Sequence, residues 1–261
     1  MKKITPIIIS GGSGLRLWPK SRNTSPKQFI NFNGKSLFEL TLERINALEG
    51  FIIDEVIISC SKEHEWLVTE QLKSFRGNFK IILEPLSLDT AAAIALACRF
   101  LDDNANLLVL PSDHFLEDYD KFSKAVVRAF EMVEKGKIVS LGVIPDNPSS
   151  SYGYIKKGNK LSPETFEIAE FKEKPDQQTA EEFLRSKLYL WNSGIFAFKN
   201  SDFKNELNLY RSDIAHFCRE AEIIEQSEPN KFTFAKETLV DCPKTSIDYA
   251  IMEKTNLGCS V

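Results

Sequence analysis

Residues able to do chemistry gather in a few short stretches of the 261-residue sequence. The first is Ser10-Gly11-Gly12-Ser13-Gly14-Leu15-Arg16-Leu17-Trp18-Pro19. Glycines let the main chain approach a phosphate closely and take positive φ. Successive N–H groups in such a loop form an anion-binding nest, and Arg16 adds a guanidinium fork matched to phosphate oxygens. No Gly-Lys-Ser/Thr follows, so this is not a Walker A loop, and Leu17 stands at the last glycine of the dinucleotide pattern. A plain Gly-rich turn is the alternative; Arg16 and Trp18-Pro19 tilt the reading toward phosphate. Pro26-Lys27-Gln28-Phe29 follows, with Lys27 either a second cation for that phosphate or a solvated surface lysine.

The apolar run Leu107-Leu108-Val109-Leu110 leads through Pro111-Ser112 into Asp113-His114. A carboxylate at the end of a strand is a natural ligand for Mg²⁺, which takes one or two carboxylates together with phosphate oxygens. Asp113 as a turn residue or helix cap is the blander reading, and His114 reads as structural rather than as a base. In Phe171-Lys172-Glu173-Lys174-Pro175, Glu173 is placed to accept sugar hydroxyls and Lys174 to meet a sugar phosphate; a surface charge run competes with that reading. Trp191-Asn192-Ser193-Gly194 presents an amide that both donates and accepts, or a tight turn between strands. Tyr152-Gly153-Tyr154 allows close approach of a ligand, or simply starts a strand.

These stretches need elements to hold them. Strands are expected at Ile4–Ser10, Val56–Cys60, Phe79–Leu83, Leu107–Leu110 and Ile138–Val143. Helices are expected at Ser36–Leu48, Glu63–Leu72, Thr90–Leu101 and Phe122–Val133, with Ser87 or Asp89 as the cap of the Ala-rich third helix. Continuous apolar strands alternating with helices predict an α/β fold, a Rossmann-like and mainly parallel sheet with helices on both faces. In such sheets ligands bind at the carboxyl ends of the strands. Beyond the Pro/Ser/Asn-rich loop 145–153, short strands are expected at 154–156, 166–171 and 194–198, and helices at 179–187, 213–225 and 246–253. Residues 256–261 read as the entry to a further strand. A single domain spanning 1–261, cut before its last strand and loop, is therefore expected.

Acidic and basic residues are mixed along the chain and the net charge is −4. This excludes the basic stripe of a nucleic-acid surface. Five cysteines, with no C-x-x-C spacing, argue against a zinc site or a disulfide framework and for a reducing compartment. The early apolar run Ile7–Ile9 is far too short for a signal peptide or a membrane helix. A cytoplasmic protein without membrane partners is expected.

Taken together, the stretches at 11–19, 26–29, 84–97, 110–114, 152–155, 171–176, 189–196 and 246–254 resemble the mannose-1-phosphate guanylyltransferases, within the sugar nucleotidyltransferases. Pro-Lys-Gln-Phe, Trp-Asn-Ser-Gly and Ser-Ile-Asp-Tyr-Ala-Ile-Met-Glu-Lys are the specific parts. The resemblance implies the nucleotide-diphospho-sugar transferase fold and transfer of a nucleotidyl group from GTP to mannose 1-phosphate with Mg²⁺, giving GDP-mannose and pyrophosphate. It implies that Gly11, Gly12, Ser13, Gly14, Glu84, Pro85 and Asp89 bind the nucleotide. Arg16 and Lys27 would hold the triphosphate and Asp113 the metal. Gly153, Glu173 and Asn192 would hold mannose, and Lys174 its phosphate. A homo-oligomer is compatible with it. Two places depart from the family pattern: Leu88 stands where relatives carry a cation, and the chain stops before a loop that supplies a second metal ligand in relatives. Another nucleotide–sugar pair, or a non-catalytic nucleotide-sugar sensor, remain alternatives at this point.

Overall fold

The computed structural model describes residues 1–12, 26–32, 34–224 and 228–261. Ser13, Gly14 and Arg16 lie outside the described residues. In chain order the strands and helices are β1 (Lys2–Ser10), β2 (Asn31–Phe32), β3 (Lys35–Ser36), α1 (Leu37–Asn46), β4 (Phe51–Ile53), β5 (Glu55–Ser61), α2 (Glu65–Leu72), β6 (Asn78–Glu84), α3 (Thr90–Cys98), β7 (Asn106–Pro111), α4 (Tyr119–Val133) and β8 (Ile138–Val143). They continue with β9 (Tyr154–Ser162), β10 (Thr165–Lys172), α5 (Gln177–Ser186), β11 (Tyr189–Lys199), α6 (Asn200–Tyr210), α7 (Ser212–Glu220), β12 (Ile223–Ile224), β13 (Lys231–Phe234) and β14 (Gly258–Ser260).

One sheet runs in the order β12-β13-β6-β5-β1-β7-β11-β8-β14-β10-β9, with β4 alongside the start of β1. The strands β13, β6, β5, β1 and β7 are mutually parallel. β11 then runs antiparallel to both β7 and β8. β14 pairs parallel with β8 and antiparallel with β10, so residues 258–260 close the gap between them.

Side-chain alternation sorts the core into two layers. Ile7, Ile57 and Ile82 point to one face, under α3, α6 and α7, where Ala92, Phe203 and Ile214 pack. Ile4, Ile8, Ile58 and Ile81 point to the other, under α1, α2 and α4, against Phe38, Val68 and Phe130. The central strands β1, β5, β6 and β7 carry continuous buried apolar runs because both faces are covered, as the sequence predicts. Helix starts follow local chemistry. Ser36 and Glu39 form a capping box on α1. Asp89, at φ 69°, caps α3 by accepting from the Thr90 N–H at 2.8 Å.

The second half contains elements beyond those expected, and three expected features take another form. Trp191–Gly194 is not a turn between strands but the middle of the 11-residue strand β11. The segment read as a helix over 246–253 is a π-helical turn, Asp248–Met252, in which the Glu253 N–H reaches the Asp248 carbonyl at 3.0 Å. The helix expected over 213–225 ends at Glu220.

Candidate active site

Four parallel strands deliver their carboxyl ends to one edge of the sheet. β1 ends at Ser10 before Gly11, β5 at Ser61, β6 at Glu84 before Pro85, and β7 at Pro111 just before Asp113. The Ser112 N–H donates to the Ile9 carbonyl at 3.1 Å, tying the β7 turn to β1. The Pro26–Phe29 stretch lies across these ends. Lys27 Nζ donates to Asp113 Oδ2 at 3.1 Å. Gln28 Nε2 donates to the carbonyls of Gly12 (3.1 Å) and Ser10 (3.3 Å), pinning the start of the glycine loop. Phe29 is buried against Phe38 of α1. Three successive residues thus contribute a cation, a clamp and an anchor. Gln28 is a site residue that sequence reasoning overlooked.

A cavity of about 400 Å³ opens beside this turn, lined by Gly11, Ser61, His64, Glu84, Pro85 and Ser87. Glu84 is buried. Its Oε1 accepts from Ser59 Oγ at 2.8 Å, and burial pushes its carboxyl up to about 7. A Cβ on Gly11 would stand 3.1 Å from that oxygen, so glycine there lets the backbone lie directly against the carboxyl group. Asp89 lines neither this cavity nor the next. Leu88 is buried in the core beside α3.

A second cavity of about 210 Å³ lies on the other side of β7, with Pro111 and His114 in its wall together with Gly153, Glu173, Asn192 and Asp248. Asn192 sits at a bulge. Four residues of β11 pass from Asn192 to Phe196 while β8 advances only from Gly142 to Ser140. Such a bulge re-aims side chains locally. The Asn192 Oδ1 accepts from Ser140 Oγ (2.9 Å) and from the Gly194 N–H (3.0 Å), while its Nδ2 donates to Asp248 Oδ1 (2.8 Å). Glu173 pairs through Oε1 with Lys174 Nζ at 2.6 Å; its Oε2 is buried with no hydrogen-bond partner. A Cβ on Gly153 would collide with that Oε2, so glycine there lets the carboxylate keep its present position.

Electrostatics separate the groups in this cavity. Burial, with Glu173 nearby, pushes Asp248 up to about 6. Burial pulls His114 down to about 4 despite Asp113, with Arg44 and Lys27 adding to the fall. His114 is therefore a neutral imidazole at neutral pH. Arg44 of α1 is itself buried, donates to the His114 carbonyl at 3.4 Å and lies over the Phe122 ring. It supports the turn that carries Asp113. Asp248 is the second residue that sequence reasoning overlooked, although the motif containing it stands out in the sequence.

A larger cavity, about 580 Å³, opens at the opposite edge of the sheet among Lys3, Asp54, Glu55 and Arg99. It lies at the amino ends of the strands, away from the loops just described. Among the described residues no helix is long and apolar enough to cross a membrane, and no three His, Cys, Asp or Glu side chains cluster as metal ligands.

A family model described as nucleotidyl transferase matches residues 5–238. The chain belongs to the nucleotidyl transferase family. Members of this family generally use a divalent metal ion. A mannose-1-phosphate guanylyltransferase of Salmonella montevideo is 42% identical over 262 residues, covering 97% of this chain and 55% of that protein. The chain thus spans about half the length of the curated relatives it matches. Among solved structures, one from Helicobacter pylori titled mannose-6-phosphate isomerase superposes with TM-score 0.86 at 32% identity, covering 100% of this chain and 97% of its own. One from Thermus thermophilus, titled mannose-1-phosphate geranyltransferase, has TM-score 0.84 at 31% identity and covers 100% of this chain and 74% of its own. This nucleotidyl transferase fold therefore carries Gly11 and Gly12, the Lys27–Asp113 pair and both cavities on one edge.

Proposed function

We propose that this chain transfers a guanylyl group from GTP to mannose 1-phosphate, forming GDP-mannose and pyrophosphate. The observation that carries the reading is the Lys27–Asp113 contact and its two neighbours. Gln28, next to Lys27, holds Gly12 at the mouth of the 400 Å³ cavity, and Pro111 and His114, flanking Asp113, wall the 210 Å³ one. The larger volume lies in the range of nucleoside-sized ligands; the smaller suits a single sugar ring. Relatives named for GTP-type transfer to mannose 1-phosphate supply the substrate pair.

Glu84 supports the choice of base. In its ionised form a carboxyl group there offers two oxygens to the N1–H and N2–H donors of guanine, whereas uracil and thymine set a carbonyl on either side of a single N–H. On the sugar side Gly153, Glu173 and Asn192 take the mannose ring, and Lys174, held by Glu173, meets its phosphate. Arg16 is assigned to the triphosphate by its sequence position and Lys27 by its place beside Gly12.

In the reaction an oxygen of mannose 1-phosphate attacks the α-phosphorus of GTP. A new P–O bond forms as the α–β bridging P–O bond breaks, and its electron pair leaves with pyrophosphate. The attacking oxygen is already ionised at neutral pH, so no base is required, in keeping with a neutral His114. What the protein supplies is alignment and charge neutralisation. Asp113 fits a magnesium ion: its carboxylate is partly exposed, Lys27 occupies only Oδ2, and a hard cation needs one or two carboxylates beside phosphate oxygens. Bound there, Mg²⁺ would neutralise developing charge on the phosphates. Lys27 then exchanges Asp113 for a non-bridging phosphate oxygen. With GTP, mannose 1-phosphate and Mg²⁺ the purified chain should release pyrophosphate. Release with UTP or TTP but not with GTP would overturn the assignment of the base.

A further inference from the structure

The sugar cavity contains one more acid than its assigned ligands require. Asp248 opens the π-helical turn, and single π turns inside helices often mark functional sites. Its Oδ1 is 2.8 Å from Asn192 Nδ2 and its side chain lines the same 210 Å³ space as Glu173. Asn192 has both acceptor positions filled, by Ser140 and Gly194, and one of its two N–H groups given to Asp248. It therefore offers a ligand a single N–H. The remaining capacity of the cavity is acceptor capacity, and Glu173 Oε2, on a side chain only 9% exposed, has no partner at all.

A buried polar atom left unpaired costs on the order of 1–3 kcal/mol, and two carboxylates facing one space repel each other. A ligand bringing two O–H donors relieves both costs; a phosphate or carboxylate set directly against Asp248 and Glu173 Oε2 would aggravate them. We propose that Asp248 is a sugar-binding residue, and that Asp248 and Glu173 accept two neighbouring hydroxyls of the sugar while Asn192 orients Asp248. The inference rests on the sugar-phosphate reading of this cavity. It also sets the direction of the substrate: the acid pair takes the diol, and the phosphate lies toward Lys174 and the Lys27–Asp113 turn.

Asp248→Asn separates this role from a purely structural one. The asparagine Oδ1 still accepts from Asn192, so the lock on Asn192 survives, while the second position changes from acceptor to donor. Calorimetric titration with mannose 1-phosphate, glucose 1-phosphate, galactose 1-phosphate and the monodeoxy analogues of the best binder tests it, with GTP as the control. In D248N the Kd for the best hexose 1-phosphate should rise at least about tenfold, and that for GTP should stay within about twofold. The wild type should lose at least about tenfold on removal of either of two adjacent hydroxyls, one of which D248N no longer distinguishes. Unchanged sugar affinity in D248N, or unchanged discrimination against every analogue, overturns the inference. Should D248N fail to fold, the wild-type panel decides, since only one costly hydroxyl, or two non-adjacent ones, would contradict an acid pair. A best binder other than mannose 1-phosphate would sink the proposed substrate and leave Asp248 to be judged on that sugar. Binding of no hexose 1-phosphate sinks both.

Discussion

The two cavities on the carboxyl edge of the sheet are built in opposite ways. The side proposed for the nucleotide is made of strand ends: β1, β5 and β6 lie parallel in succession, and Gly11 and Glu84 meet across the end of β5, which separates their strands. One buried acid and one clamp, Gln28, hold that arrangement. The side proposed for the sugar is made of four separate segments, the loop before β9, the end of β10, the β11 bulge and the π turn, and hydrogen bonds through Asn192 join the loop, the bulge and the π turn. Backbone placement tolerates side-chain changes better than a network in which each group orients the next. Disturbing the sugar side should thus change sugar recognition sharply and locally, and disturbing the nucleotide side should act more on stability and loop order.

The largest effect is expected where the two sides meet. Asp113→Asn removes the charge that faces Lys27 and, in the proposed reaction, the metal; kcat should fall by about 10²–10³, with both substrate affinities within a few-fold of wild type in direct titrations. A kcat within threefold would remove Asp113 from the chemistry. Next comes Gly153→Ala, whose methyl group would displace the Glu173 carboxylate and press within 3.3 Å of Asn192 Cβ. Such a displacement should cost about 10² in kcat/KM for the sugar phosphate and leave the GTP KM nearly unchanged. Equal losses for both substrates would mean that the two cavities are not separable.

On the nucleotide side the expected signal is in stability. Burial raises Glu84 from 4.5 to about 7, so the folded state holds that proton more tightly than the unfolded chain. Its stabilising contribution is complete below about pH 4.5 and is lost as pH rises through about 7, by at most about 3 kcal/mol. Urea midpoints measured across that range should fall for the wild type and fall less for Glu84→Gln; parallel curves would show that Glu84 does not titrate there. The smallest effect belongs to Gln28→Ala. Loss of its bonds to Ser10 and Gly12 should cost about 1–2 kcal/mol and raise the KM for GTP while sparing that for the sugar phosphate. A stable variant with an unaltered GTP KM would show that the clamp is dispensable.

The same contrast governs what the sequence reveals. The nucleotide side is continuous with apolar strands, so a reader who finds Ile4–Ser10 and Leu107–Leu110 finds Gly11 and Asp113 at their ends. The layers of the fold follow from the same runs. Gln28 was not legible because its partners lie 16–18 residues away in a geometry that only the folded sheet creates. Asp248 was not legible because helical periodicity does not distinguish a π turn from an α-helix, and its contact with Asn192 spans 56 residues. The strands β4 and β13 escaped notice as three- and four-residue elements stabilised by sheet neighbours rather than by pattern. α6 escaped because few apolar positions, chiefly Phe203 and Leu207, mark its buried face.

The bulge in β11 inserts an even number of residues relative to β8. Parity is thereby kept: Leu190, Phe196 and Phe198 all face the α3 layer, and Ile195 and Ala197 the α4 layer. Replacing Ser193 would disturb the cavity alone. Deleting it would turn every later side chain of the strand over, sending phenylalanines where alanine belongs, so at this point the molecule is forgiving of altered spelling and intolerant of altered length.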